Sequence, residues 1–278
     1  MAVMAQLEIA NYSDVGRRRP HNEDSTLSDV HHGLAILADG MGGYKAGEVA
    51  SAIAVKSIYD NVCEGLQRIN HGLVDKDTGF KLESLLVKDA IIQANSGIYN
   101  TARTDEQCQG MGTTVVVCLF YDHWLTVAHV GDSRLYRKRD GEFQQITKDH
   151  SLIQELIDRG LYTPAEAAQK TPKNLVTRAL GIDAKVEVDV LEEQSKTGDI
   201  YLLCSDGLND MVNDEEIHLT LSKYSANLAQ SAEELIRLAN AKGGKDNISV
   251  ILVRVLATAA SGSGIKQFFR RLIMRGDK

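Results

Sequence analysis

Four acids sit where short apolar runs break off. Asp39 closes the run in LAILADGMGG, Asp132 follows one in TVAHVGDSRLYR, Asp206 follows one in DIYLLCSDGLND, and Asp246 stands just ahead of one in GGKDNISVILVRV. A strand that ends in an acid beside glycine can turn its carboxylate into a cleft at the sheet edge instead of into the core. Carboxylates gathered in that way suit hard cations, since Mg2+ and Mn2+ prefer carboxylate, carbonyl and water oxygens, and Mg2+ keeps several waters. A site for two such ions therefore needs few protein ligands. Asp39 suits the bridging position, because Gly40 has no side chain to keep its own carbonyl from an ion, and Asp206 and Asp246 complete the pair. Two ions about 3.5 to 4 Å apart can hold a bridging water as nucleophile, orient a phosphate and neutralise the charge that builds on it. The expected chemistry is hydrolysis of a phosphate ester with no protein nucleophile.

Such a site still lacks a positive group that grips phosphate oxygens in two places, a task for arginine's planar fork more than for lysine's point charge. Arg17, Arg18 and Arg19 form the cluster for it in RRRPHNEDS, with Glu23 and Asp24 nearby to orient metal waters. Taken singly, each of these residues has a plainer reading. Asp-Gly is a common turn, Asp before Asn can cap a structure, and an arginine triplet is ordinarily a solvated turn. Four acids in the same punctuation are what favour one shared site.

The elements that must carry these residues follow from the pattern. Residues 6–15 read as an opening strand, and the polar RRRPHNEDS as a turn at the edge of a site. A helix is expected over Lys45–Tyr59 and a second over Phe80–Thr101, where Val87, Ile91, Ala94 and Ile98 recur at helical spacing, with a polar loop at 64–79 between them. Strands follow at 113–119, 124–130 and 133–137, separated by the hairpin signals Tyr121-Asp122-His123, Gly131-Asp132 and Arg139-Asp140-Gly141. The segment 147–182, with Pro164 and Pro172, interrupts the strands and reads as an inserted flap. Strands resume at 185–190, 199–204 and 247–255, with helices at 214–222 and 226–241. Strands in meanders with helices in pairs predict an α+β fold: a central antiparallel β-sandwich flanked by helical layers. That domain would span 1–256, followed by a linker at 257–264 and a basic amphipathic helix at 265–278. The helix would either dock on its own domain or meet a partner or an anionic membrane surface.

Composition narrows the function classes. The chain has 278 residues, only 3 Pro, and 31 basic against 38 acidic residues for a formal charge of −7, so it offers no electrostatic footprint for nucleic acid. Its four cysteines, Cys63, Cys108, Cys118 and Cys204, have no paired spacing and are expected to be reduced, buried and structural. With no apolar signal core at the start and no run of ~20 apolar residues, the expected place is the cytoplasm, with 265–278 offering contact with the inner face of a membrane.

The joint pattern resembles the metal-dependent serine/threonine protein phosphatases of type 2C, the PPM family, and most of all their compact bacterial members. The stretches that carry the resemblance are SDVGRRRPHNEDS, LAILADGMGG, GMGTTVVV, VAHVGDSRLYR, ITKDHSL, NLVTRALG, LLCSDGL and GGKDNISV, in the family's order over roughly residues 9–254. It implies that Asp39 bridges two metals, Mn2+ or Mg2+, that the Gly40 carbonyl binds one, and that Asp206 and Asp246 hold the other. It further implies that Asp132 with Asp206 supports a third, weaker ion, that Arg19 binds the phosphate, and that Glu23 and Asp24 act through metal-bound waters. Phosphorylated proteins would be the substrates, a serine/threonine kinase the opposing partner, and a monomer the working form. One departure is Met41, where many eukaryotic members have a histidine proposed as general acid. A thioether cannot donate that proton, and Tyr44 and His150 are the nearby candidates.

Other classes fit worse. No cysteine is followed by arginine at the spacing a cysteine-dependent phosphatase requires, GDxHG and GNHE are absent, and the glycine-rich 40–47 lacks the GKS or GKT ending of a nucleotide-binding loop. The remaining rival is a catalytically silent phosphatase-like module that binds phosphoproteins or senses a signal. Loss of metal acids would mark it, and all of them are present.

Overall fold

Alternation along Leu34–Met41 decides how the molecule is layered. Leu34, Ile36 and Ala38 join one buried apolar cluster while Ala35 and Leu37 join another, so this strand is covered on both faces. A computed structural model describes residues 5–42, 46–172 and 175–258 and shows what covers it. The first half of the chain supplies β1 (Gln6–Asp14), β2 (Asp24–Asp29), β3 (Leu34–Met41), α1 (Ala46–Leu66) and α2 (Leu82–Thr104). After a 3-10 turn at Glu106–Cys108 come β4 (Gly112–Thr113), β5 (Val115–Tyr121), β6 (Trp124–Val130), β7 (Arg134–Arg139) and β8 (Glu142–Gln145). The remainder is α3 (Leu152–Asp158), α4 (Pro164–Lys170), β9 (Asp189–Gln194), β10 (Ile200–Cys204), α5 (Asp206–Asn209), α6 (Asp214–Lys223), α7 (Leu228–Ala241) and β11 (Ile248–Ala257).

The strands make two antiparallel sheets, one in the order β1-β11-β10-β7-β8 and the other β2-β3-β5-β6-β9, with β4 pairing β3. Between them lies a core of Leu37, Val116, Cys118, Phe120, Val127, Leu135, Tyr201, Leu203, Ile251 and Val253. The other face of the second sheet is covered by α1 and α2, and that of the first by α5, α6 and α7. The expected sandwich with outer helical layers is the observed architecture.

Three local expectations change. The strand expected at 185–190 lies instead at Asp189–Gln194, pairing β6 from Asp189↔His129 to Trp124↔Gln194. Val186 and Val188, which suggested the earlier start, pack on the helix-side core without strand pairing. The acids Glu192 and Glu193 that follow are held in place by Lys81 and Arg137. Helix α1 runs on to Leu66, past the expected end at Tyr59, and its Gly65 lets the Leu86 side chain of α2 pack close, since a Cβ there would stand 2.2 Å from a Leu86 methyl. The third is β2, which the sequence pattern does not predict; only its first two residues, Asp24 and Ser25, fall in the expected polar turn. The β7–β8 turn is as its sequence suggests, since Asp140 and Gly141 both take positive φ, 51° and 87°, the two-residue hairpin geometry that matches sheet twist. Within 147–182, α3 and α4 are short helices, and the segment returns through a bridge between Ser151 and Val176 and another between Thr113 and Leu180.

Among the described residues no helix is long and apolar enough to cross a membrane. Of the linker expected at 257–264, Ala257 still belongs to β11; Tyr44, the linker from 259 and the helix expected at 265–278 lie outside the described residues.

Candidate metal centre

One end of the sandwich collects the acids, and strand alternation puts them there. Asp39 continues the inward-facing series Ala35, Leu37, and in register opposite it stands Asp24, the first residue of β2. Asp132 lies in the turn between β6 and β7, Asp206 opens α5 directly after β10, and Asp246 lies just before β11. Glu23, Asp39, Asp132, Asp206 and Asp246 line one cleft of about 220 Å3, together with Arg19, Gly40, Met41, Gly42, Thr114 and Val176. A second hollow of about 210 Å3 shares Asp132 and Asp206 and adds Asp149, Asp210, Arg134, Ser151, Ile153 and Asn209.

Backbone and hydroxyl partners fix each acid. The Asp39 N–H donates to Thr114 Oγ1 at 3.1 Å, and its carbonyl accepts from Thr113 Oγ1 and the Thr114 N–H, both at 2.9 Å. Thr114 Oγ1 in turn lies 2.7 Å from Ser133 Oγ, which ties the strand of Asp39 to the turn of Asp132. Ser205 Oγ donates to Asp24 Oδ2 at 2.8 Å. Asn247 is the hub beside Asp246: its Oδ1 accepts the Glu23 N–H at 2.8 Å, and its Nδ2 donates to the carbonyls of Val15 and His21 at 3.0 and 2.9 Å. Thr114, Ser133, Ser205 and Asn247 were not singled out from the sequence. The Asp-Asn pair, seen there as a simple cap, was the one available hint.

Gly40 has a second reason to be glycine. A Cβ there would lie 2.2 Å from the Gly47 carbonyl oxygen and 2.5 Å from that of Glu23, so β3 and the start of α1 touch backbone to backbone at the rim of the cleft. Arg19 reaches the cleft from the loop after β1, and its Nη2 donates to Asp246 Oδ2 at 2.7 Å. Arg17 and Arg18 are not among the residues that line it. His150 lines neither hollow. It stacks on His129 behind the Asp132 turn, with Nδ1 accepting the Gly131 N–H at 3.1 Å and Nε2 facing Asp189 at 3.3 Å. The expectation that His150 might supply a proton is therefore corrected, because its ring atoms are committed elsewhere.

The electrostatics of the cleft call for a cation. Burial pushes the Asp39 and Asp206 carboxyls well above the usual range, and the charges of neighbouring acids push them further. Burial likewise raises Asp24 and Asp132 to about 6, with the charge of Asp246 adding to the first and that of Asp149 to the second. Asp24 Oδ1 is buried with no hydrogen-bond partner among the described residues, an arrangement that costs about 1–3 kcal/mol unless something meets it. Among the described residues, five carboxylates against one arginine line the cleft. The donors are oxygens only, a set for Mg2+ or Mn2+ and not for zinc. Among the described residues no three of these acids bring oxygens within 4.8 Å of one another, so protein oxygens alone would not close a shell, and waters must complete it, as Mg2+ favours.

Residues 17–252 match the family model for protein phosphatase 2C. The chain belongs to that family. Among its type 2C relatives, the serine/threonine phosphatase stp of Listeria welshimeri is 38% identical over 244 residues, covering 87% of this chain and 93% of that protein. The serine/threonine protein phosphatase PstP of Mycobacterium tuberculosis is 40% identical over 251 residues. The match covers 90% of this chain but 45% of PstP, so the chain spans about half the length of that relative. A crystal structure of the PstP catalytic domain in complex with two manganese ions superposes with a TM-score of 0.77 at 38% identity, covering 90% of this chain and 98% of that one.

Proposed function

We propose that this type 2C chain hydrolyses phosphoserine and phosphothreonine esters in proteins with two divalent ions, Mn2+ or Mg2+, bound in the acid cleft. The observation that carries the reading is the cleft itself, where, among the described residues, five carboxylates and one arginine converge from five separate segments of the chain. Two ions there would supply an activated water as nucleophile and neutralise charge on the phosphoryl group. Asp39 would bridge them, the Gly40 carbonyl would bind one, and Asp206 and Asp246 would bind the other. Asp132 with Asp206 opens on the second hollow, which suits a third, weaker ion. Glu23, which lines the cleft, and Asp24 beside it would orient metal waters.

Arg19 is the phosphate grip. Its guanidinium is half exposed and already pairs with Asp246 across the cleft mouth, so an arriving phosphate has only to share it. Met41 lines the cleft and offers no proton; water therefore protonates the leaving alcohol. Segment 147–182 flanks the entrance through Val176 and serves as the flap over the substrate groove. The chain is proposed to act as a monomer against a bacterial serine/threonine kinase, with 265–278 meeting a membrane surface or partner.

Turnover of p-nitrophenyl phosphate and of a phosphothreonine peptide tests the reading. It predicts activity with Mn2+ that EDTA abolishes. Activity that survives EDTA, or none with metal, would leave only a phosphatase-like binding module.

A further inference from the structure

Outside the acid cleft, two clusters among the described residues bring three potential ligand atoms within 4.8 Å of one another: Asp29, His32 and Cys63, and His129, His150 and Asp189. Hydrogen bonding separates them. His150 Nδ1 accepts the Gly131 N–H, so the ring proton is on Nε2, facing Asp189, and that ring has no lone pair left for an ion, which leaves only His129 Nδ1 and Asp189 as donors. That cluster is a brace behind the turn of Asp132.

The other cluster is arranged differently. Asp29 ends β2, His32 lies in the turn that follows, and Cys63 stands one helical turn after Tyr59 on α1. The carboxylate of Asp29 is held from four sides. Its Oδ1 accepts the N–H groups of His31 and His32 at 2.8 and 3.3 Å, and its Oδ2 accepts from His32 Nδ1 at 2.7 Å and Tyr59 Oη at 2.9 Å. Burial works against the charge, but the bonds from His32 and Tyr59 outweigh it and pull this carboxyl down to about 2, so it is ionised. His32 is 35% exposed in its side chain, so its ring proton can move to Nε2 and into water, which frees Nδ1. Burial raises the Cys63 thiol, as do the charges of Asp29 and Asp60, so without a metal this sulfur stays protonated.

We propose that Asp29, His32 and Cys63 form a second metal site, for a borderline transition ion such as Zn2+. One oxygen, one nitrogen and one sulfur are a zinc-type set, unlike the all-oxygen cleft. Tetrahedral bonds of roughly 2.0 to 2.3 Å to such an ion set donors roughly 3.3 to 3.8 Å apart, and the three donor atoms here already lie within 4.8 Å of one another. Coordination sends the Cys63 proton to solvent, shifts the His32 proton from Nδ1 to Nε2, and leaves the fourth position to water. Tyr59 stays on Asp29 and orients it, as outer partners of ligands do. The site clips the end of β2 to α1, whose earlier turns touch the cleft: Ser51 Oγ donates to the Glu23 carbonyl at 2.6 Å. A bound ion thus braces the helix that backs Glu23 and Gly40.

Cobalt tests this on the full chain. Thiolate bound to Co2+ gives a near-ultraviolet charge-transfer band, and no cysteine lines the acid cleft, so the band reports the second site alone. The expected result is a band that saturates at one equivalent, is displaced by Zn2+, survives Cys108→Ser and is lost in Cys63→Ser. His32→Ala should weaken Co2+ binding at least about tenfold, while Mn2+-dependent turnover in Cys63→Ser stays at the wild-type level. No band in the wild type at a large excess of Co2+, a band that persists in Cys63→Ser, or unchanged affinity in His32→Ala would each overturn the proposal.

Discussion

The two ends of the sandwich bury acids in opposite ways. At the end away from the cleft, Asp199 accepts Arg139 Nε and Nη2 at 2.8 and 2.6 Å, Glu193 accepts Arg137 Nη1 at 2.7 Å, and Tyr201 Oη donates to Glu193 at 2.6 Å. Those partners come from β7, β9 and β10, so the network joins the two sheets. At the cleft end, acids from five segments of the chain face one another, and among the described residues Arg19 is the one cation lining the cleft. Matched charges fasten the fold where nothing is to be bound. Unmatched ones keep a place for ions from outside, and the fold bears their repulsion until the ions arrive.

Substitutions at the two ends should therefore separate activity from stability. Asp39→Asn is expected to lower Mn2+-dependent turnover by at least about 100-fold while melting no lower than wild type in EDTA, since it removes one of the crowded charges. A loss under about tenfold in kcat would mean that the bridge is misassigned. Arg139→Ala is the converse. It leaves the buried Asp199 unpaired, which should cost about 3 kcal/mol and lower Tm by roughly 6–10 °C, with kcat retained in the folded protein. Equal stability there would dissolve the contrast.

Asp132→Asn should lower turnover only several-fold while calorimetry still finds two Mn2+ bound; wild-type turnover would make Asp132 structural. The same variant sharpens the comparison through pH. Without metal, Asp24 and Asp132 keep protons up to about 6, against about 3.9 in the unfolded chain. The folded state then binds more protons than the unfolded one, so their contribution to stability is full below about pH 4 and is lost as pH rises through 6. Melting in EDTA should show that fall, less steeply in Asp132→Asn, and an identical slope would contradict it. The smallest effect is expected from deleting 259–278: turnover of p-nitrophenyl phosphate should not change.

Much of this was legible because apolar runs and their punctuation are local. Asp39, Asp132, Asp206 and Asp246 each stand beside a strand of aliphatic residues, and the fold brings all four to one end. β2 was not legible, because DSTLSD has one aliphatic residue; it is a strand only because β3 pairs with it and α1 covers it. That pairing is what sets Asp24 against Asp39. β9 was misplaced for a similar reason, since its acids are tolerated by Lys81 and Arg137 far away in sequence. Nor could the sequence reveal Thr114, Ser133, Ser205 and Asn247 as the supports of the acids, because short polar side chains declare a role only through what they touch. The arginine triplet showed its position but not its target, and only the structure pairs Arg19 with Asp246.

The most direct measurement is anomalous diffraction at the manganese edge from crystals soaked in Mn2+. The account predicts two peaks in the cleft between Asp39, Asp206 and Asp246, and their disappearance in Asp39→Asn. A cleft without manganese in the wild type, or peaks that do not involve Asp39, would contradict it.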